Sequence, residues 1–246
     1  MADPKTRLDF AFTVPQLPDG EALTVEELER TILKELDDGS CASEKQALRN
    51  LAVLYSKTNR HGQAVECMRK CSVIADDPEE EASCYLALGQ LQEQIQDYEA
   101  AVTYYRAAFG MHSGNTATWY WINNNLGYCL IQLGQFKEAE GHLRAALAID
   151  ANRPNAFKNL GLAQLGQWQH AKAAECFLRA TQVDAADARS LNHLQELVDA
   201  HPELLDEVPD LHHKLDACRK AVEHAASHQP DFAAHWEMLR ARQKKP

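Results

Sequence analysis

One pattern of apolar and small residues recurs four times along the chain. The four segments align without internal gaps and begin at Leu48, Tyr85, Asn123 and Phe157, so their starts are 37, 38 and 34 residues apart. Each segment has a Leu followed by a small residue, and an Ala lies thirteen positions after that Leu. Self-similarity at such a period indicates a stacked array of structural repeats.

Small and large residues occupy fixed places within each repeat. The leading pairs are Leu51-Ala52, Leu88-Gly89, Leu126-Gly127 and Leu160-Gly161; the large residues that follow are Met68, Tyr105, Leu143 and Phe177; and the small residues three positions later are Cys71, Ala108, Ala146 and Ala180. Small residues let two antiparallel helices approach closely, while large ones fill the space between neighbouring pairs. One helix pair cannot bury its apolar face alone, so we expect the repeats to stack into a continuous core.

These four copies resemble the tetratricopeptide repeat (TPR) family over about residues 45–186. The resemblance implies an all-α fold: a TPR superhelix, or α-solenoid, of about four helix-turn-helix repeats with N- and C-terminal capping helices. Two positions depart from the family pattern. Ala52 stands where Gly is usual, and Trp168 stands where the turn glycine often occurs.

The flanking segments complete the predicted organisation. Thr24 and Glu27 form a capping box that predicts the start of a helix, while Pro209 and Pro230 predict the starts of helices over about 209–227 and 230–243. The expected divisions are an irregular arm over 1–23, a capping helix and linker over 24–42, four repeats over 43–186 (about 45–78, 82–115, 120–153 and 154–187), and C-terminal capping helices with a basic tail over 187–246.

Composition narrows the classes of function. The chain of 246 residues carries a formal net charge of −11, a poor match to nucleic acid or to an anionic membrane. It has no apolar run of about 18 residues and no secretory signal at its start, so we expect a cytoplasmic protein. Its seven cysteines show no paired spacing, which fits reduced thiols.

The sequence contains no GxSxG, HExxH or glycine-rich phosphate loop, which favours a protein that is not an enzyme and needs no cofactor. Two weaker patterns leave metal binding open. Cys67 and Cys71 share a helix face. His224 and His228 are four apart, and His212 with His213 precede them, yet packed or solvated side chains are the simpler interpretation of both patterns.

The TPR resemblance implies a peptide-binding groove lined by the first helix of each repeat. Residues at i, i+3 or i+4, and i+7 of such a helix point the same way. Amides suit the role because they donate and accept hydrogen bonds, and aromatic side chains are common interface anchors. The candidate groove residues are Arg49, Asn50, Gln90, Trp121, Asn124, Asn125, Tyr128, Lys158 and Asn159.

We therefore expect a noncatalytic scaffold that binds a partner peptide or helix in the concave TPR groove. One alternative is a chaperone-like holder of a secreted or aggregation-prone client. Another is a metal-responsive regulator that uses the C-terminal histidines. The arm adds one further feature, since Leu8, Phe10, Phe12 and Val14 alternate with less apolar residues and give an extended segment one apolar side. That segment could cover the array or occupy the groove.

Overall fold

The computed structural model describes residues 24–111 and 114–228, and this part of the chain contains twelve α-helices and no strand. The predicted all-α fold is thereby confirmed. In chain order the helices are α1 (Val25–Asp37), α2 (Glu44–Lys57), α3 (His61–Val73), α4 (Pro78–Gln94), α5 (Tyr98–Gly110), α6 (Thr116–Gln132), α7 (Phe136–Ile149), α8 (Pro154–Gly166), α9 (His170–Val183), α10 (Arg189–Ala200), α11 (Leu204–Glu207) and α12 (Leu211–His228). The arm over 1–23, the helix expected over 230–243 and the basic tail lie outside the described residues.

The chain divides after Asn125 into two compact units. The core of the first unit includes Leu51, Met68 and Leu88, which are at most 2% exposed. The core of the second includes Phe177 and Leu194, both fully buried. Each unit therefore has a core of its own, built from residues of several helices.

Local sequence fixes where several helices begin. Thr24 accepts a hydrogen bond from the backbone N–H of Glu27, while the Glu27 carboxylate accepts one from the Thr24 backbone, so the predicted capping box is confirmed. Asp77 caps α4 by accepting from the Glu80 N–H, and Pro78 stands at the first helical position, where a missing N–H costs nothing.

The small residues of the repeat pattern lie directly against the large ones sixteen positions later. A Cβ atom placed on Gly89 would be 2.3 Å from the Tyr105 ring, and one on Gly161 would be 2.6 Å from the Phe177 ring. Real Cβ atoms essentially never come this close to another atom. The packing predicted from the alternation of small and large residues is therefore confirmed, with glycine as the residue that permits it.

The turn between the two helices of each repeat needs a left-handed backbone residue. The four equivalent positions are Asn59, Gln96, Gly134 and Trp168, with φ of 58°, 62°, 74° and 59°. Only one of these is glycine, the residue that adopts this conformation without steric cost. Trp168 therefore occupies the strained turn position at which the sequence departs from the family pattern.

The C-terminal segment adds three helices to the core of the second unit. Helix α12 corresponds to the helix expected over 209–227, and α10 precedes it within the predicted C-terminal capping segment. The short helix α11 was not anticipated. Its Leu204 is 1% exposed and joins Val208 and Leu211 in the core, which accounts for a helical turn in a segment too short to show a period.

Candidate functional site

The nine candidate groove residues all lie on the first helices of the four repeats. In the first unit, α2 carries Arg49 and Asn50, α4 carries Gln90, and the first part of α6 carries Trp121, Asn124 and Asn125; in the second unit, the end of α6 carries Tyr128, and α8 carries Lys158 and Asn159. Their side chains differ widely in exposure, and this difference decides which of them can meet a ligand first.

One row of positions on each first helix remains accessible in every repeat. The members of a row are spaced by seven and then four residues, so they project from one side of the helix. We call these residues the accessible stripe: Gln46, Val53 and Lys57 on α2; Ser83, Gln90 and Gln94 on α4; Trp121, Tyr128 and Gln132 on α6; and Asn155 and Leu162 on α8, all of them half-buried or exposed. At the third position of α8, Gly166 lies against the Phe136 ring and is left out of the stripe. Three of the nine candidates, Gln90, Trp121 and Tyr128, belong to it.

The asparagines that were expected to face an open groove are instead almost fully buried. Asn124, Asn125 and Asn159 are 1%, 3% and 5% exposed. Asn124 Nδ2 donates to Asn125 Oδ1 at 3.0 Å, and the neighbouring Asn123 Nδ2 donates to the Trp119 carbonyl oxygen at 2.9 Å. Much of the hydrogen-bonding capacity of α6 is thus used within the protein, and these amides support the helix that carries the stripe.

Aromatic side chains cluster along α6 next to the stripe. Trp121 is half-buried and meets the fully buried Tyr120 edge to face, with ring centroids 5.2 Å apart. Trp119 stacks on Phe109 of α5 at 4.7 Å. Packing on the preceding repeat is therefore made by Trp119, and Trp121 keeps part of its surface accessible.

A charged cluster joins α2 to α4 beside the stripe. Lys45 Nζ lies 2.7 Å from Glu80 Oε2, and Arg49 Nη2 lies 3.3 Å from Glu80 Oε1. The hydrogen bond from Lys45 lowers the pKa of Glu80, whereas hydrogen bonds to Asp76 and Glu80 raise the pKa of Lys45. Arg49 is therefore engaged in an ion pair, and a ligand reaching it would have to compete with Glu80.

Sequence reasoning missed this cluster, although the sequence carries a signal for it. Lys45 and Glu80 are 35 residues apart, as are Arg49 and Cys84, and this is close to one repeat length. Complementary residues at one repeat spacing on successive first helices are placed to meet when repeats stack. The same spacing relates Arg69 of α3 to Tyr104 of α5, which are hydrogen-bonded at 2.7 Å.

Two buried thiols adjoin Arg49 in the first unit. Arg49 Nη2 lies 4.0 Å from Cys84 Sγ. A hydrogen bond with Cys71 and the nearby guanidinium lower the pKa of Cys84 to about 7, against the opposing effect of burial. Both thiols are at most 1% exposed, so they form part of the contact between α3 and α4.

The residues considered for metal binding are not grouped as a metal site in the described part of the chain. His212 and His213 are exposed neighbours on α12 with ring centroids 5.8 Å apart, and His224 is exposed further along that helix. Cys67 and Cys71 are both buried. Across residues 24–111 and 114–228, no three His, Cys, Asp or Glu side chains are arranged to hold a metal ion.

No helix within the described ranges is both long and apolar enough to span a bilayer.

Lys158 of α8 is half-buried, and its Nζ lies 3.5 Å from Asn155 Oδ1 of the stripe. Asn50 of α2 accepts a hydrogen bond from Gln46, also of the stripe, at 2.9 Å. Lys158 and Asn50 thus each contact a residue of the stripe on their own helix.

Comparison with protein families gives two matches. One tetratricopeptide repeat model matches residues 96–165, and a second matches residues 47–82. Together the two matched ranges fall within the four repeats identified from the sequence.

Among curated proteins, Superkiller complex protein 3 of Homo sapiens is 29% identical over 118 residues, and that of Mus musculus is 27% identical over the same length. The match covers 48% of this chain and 7% of each relative. The chain therefore resembles a small stretch of these much longer proteins.

Among solved structures, BtubC from P. vanneervenii superposes with a TM-score of 0.66 at 18% identity, covering 84% of this chain and 92% of that one. MamA from Desulfovibrio magneticus RS-1 gives a TM-score of 0.56 at 18% identity, covering 83% of this chain and 99% of that one. At this level of identity the likeness concerns the fold.

Proposed function

We propose that this chain, which is a tetratricopeptide repeat protein, is a scaffold that binds a partner peptide or helix along the first helices of its repeats. The general role in protein interaction follows from the family, and the surface is our inference. The accessible stripe is the observation that carries the inference, because its residues keep part of their surface exposed on the first helix of every repeat.

The chemistry of the stripe favours an extended peptide as the partner. Gln46, Ser83, Gln90 and Gln94 offer donors and acceptors for a peptide backbone in the first unit. On α6, Trp121 and Tyr128 offer aromatic surface of the kind that dominates binding energy in interfaces. We assign backbone recognition to the amides and anchoring to the two aromatic residues.

The same composition argues against a holder of unfolded clients. Such a holder needs a wide apolar surface, whereas amides, Ser83 and Lys57 make up most of the stripe. The histidines of α12 form no metal site in the described residues, so a metal-responsive regulator gains no support either.

The test is a selection of peptide ligands from a displayed random library on the full chain, followed by hydrogen exchange of the complex. We expect selected peptides to slow backbone amide exchange in α2, α4, α6 and α8. The exchange rates in α12 should stay the same. Slowed exchange confined to the second helices, α3, α5, α7 and α9, would contradict the proposed surface.

A further inference from the structure

An open cavity of about 420 Å³ lies between α1, α2 and α3 in the first unit. Its walls include Leu33 and Leu36 of α1, Leu48 and Leu51 of α2, and Cys67 of α3; Asp37, Gln63, Glu66 and Lys70 also line it. An apolar interior combined with charged and polar side chains is the usual character of a binding cleft, and the volume lies in the common range of roughly 300–1,000 Å³.

Helix α1 explains why this cavity is open. Its Leu28 and Ile32 are buried at 4% and 6% exposure, but Leu33 is 45% exposed and Leu36 is only half-buried. The apolar stripe of α1 is therefore wider than the surface that α2 and α3 cover, and its uncovered edge faces the cavity. Since uncovered apolar area of this kind favours contact with another apolar surface, an occupant is expected.

We propose that residues 8–14 of this same chain occupy the cavity. They belong to the arm that precedes α1, and their pattern is LDFAFTV. In an extended segment Leu8, Phe10, Phe12 and Val14 share one side, because successive side chains point to opposite sides. That apolar side matches the apolar walls of the cavity.

Chain length permits this docking. Nine residues lie between Val14 and Thr24, and the ten steps from one to the other span up to about 33 Å when extended. The distance along α1 from Val25 to Leu36 is about 17 Å at 1.5 Å per residue. The connection can therefore return along the helix to the cavity with length to spare.

Tethering favours this occupant over a separate molecule. A short tether gives the arm an effective concentration in the millimolar range, which a second copy or a free partner has to exceed. The proposal concerns a surface separate from the accessible stripe and does not depend on it.

Photo-crosslinking of the full chain tests the contact. A benzoylphenylalanine in place of Gln63, an exposed side chain at the cavity, should crosslink within the chain to residues 8–14, as located by mass spectrometry. The same group in place of Thr103, exposed on α5, should give no such crosslink. Crosslinks from position 63 to another copy, or to parts of the chain other than 8–14, would overturn the proposal.

Alkylation of Cys67 gives a second and independent readout. Cys67 lines the cavity and is 8% exposed, and burial raises the pKa of its thiol. Phe10→Asp should speed its alkylation by iodoacetamide about tenfold, the protection expected if the arm is docked in about nine molecules of ten. Ala11→Asp adds the same charge on the other side of the segment and should leave the rate unchanged.

Cys218 of α12 serves as the internal reference, because it is 4% exposed and lies outside the cavity. Its alkylation should be equal in the unaltered chain and in both variants. Equal Cys67 rates in all three proteins would overturn the proposal, as would an increase with Ala11→Asp as large as that with Phe10→Asp.

Discussion

Gly127 of α6 lies so close to Leu143 of α7 that a Cβ atom on the glycine would stand 2.6 Å from the leucine Cγ. The backbone oxygen of Ala139 would be 3.3 Å from the same Cβ, so the space is closed by backbone as well as by side chain. This contact is the third-repeat version of the small-large pairing that relates Gly89 to Tyr105 and Gly161 to Phe177.

The first prediction concerns this close contact. Gly127→Ala should destabilise the protein by about 1–3 kcal/mol, because the added methyl overpacks the pair of helices. Gly141→Ala is the matched control, since a Cβ there meets no atom within 4 Å. Alanine in an open helical position should stabilise by about 0.5–1 kcal/mol. Urea unfolding measures both, and equal effects of the two substitutions would refute the packing.

The second prediction concerns the strained turn at Trp168. The residue has φ of 59° and is 82% exposed, so little packing offsets its backbone strain. Trp168→Gly should stabilise the protein by about 1 kcal/mol. Gly134→Ala, at the same turn of the preceding repeat, should destabilise it by a similar amount. A stability loss on Trp168→Gly would show that the exposed ring contributes more than the strain costs.

The third prediction concerns pH. Burial raises the pKa of Glu93 to about 7, although the Tyr105 hydroxyl donates to its Oε2 at 2.8 Å. Because the folded pKa lies above the unfolded value near 4.5, stability is greatest below that value and falls as pH rises through about 7. Glu93→Gln should thus add about 3 kcal/mol at pH 8 and almost nothing at pH 4. Thermal unfolding at both pH values checks this, and a gain that is independent of pH would contradict it.

The fourth prediction separates buried from accessible asparagines. Asn125→Ala removes the acceptor of the Asn124 side-chain N–H and should destabilise by about 1–3 kcal/mol. Asn50→Ala changes the equivalent position of the first repeat, where the side chain is half-buried, and should cost less than about 0.5 kcal/mol. Similar losses of stability in both variants would mean that burial does not determine how much the α6 amides contribute to stability.

The repeats were predictable because their signal is local and periodic. The spacing of Gly89 from Tyr105, and of its counterparts, already specifies which small residue admits which large one, and the left-handed turn at Trp168 was visible as a departure from glycine. Stacking of the repeats then follows from the need to cover each apolar face.

The exposure of the candidate site was not predictable in the same way. Asn50, Asn125 and Asn159 occupy equivalent positions, yet the last two are buried and the first is not. Their burial depends on contacts with neighbouring helices. The pattern of residues along one helix does not reveal those contacts. The pairing of Lys45 with Glu80 was likewise hidden, because it joins two repeats and not two residues of one helix.

The central claim is that the accessible stripe, and Trp121 in particular, binds the partner. The most direct measurement is the affinity of a library-selected peptide for the unaltered chain, for Trp121→Ala and for Val73→Ser. Val73→Ser is the control, because Val73 is 83% exposed and lies on the second helix of a repeat. We predict a loss of about thirtyfold or more for Trp121→Ala, or about 2 kcal/mol, at a nearly unchanged melting temperature, and no loss for Val73→Ser. Full affinity of Trp121→Ala, or an equal loss in both variants, would contradict the claim.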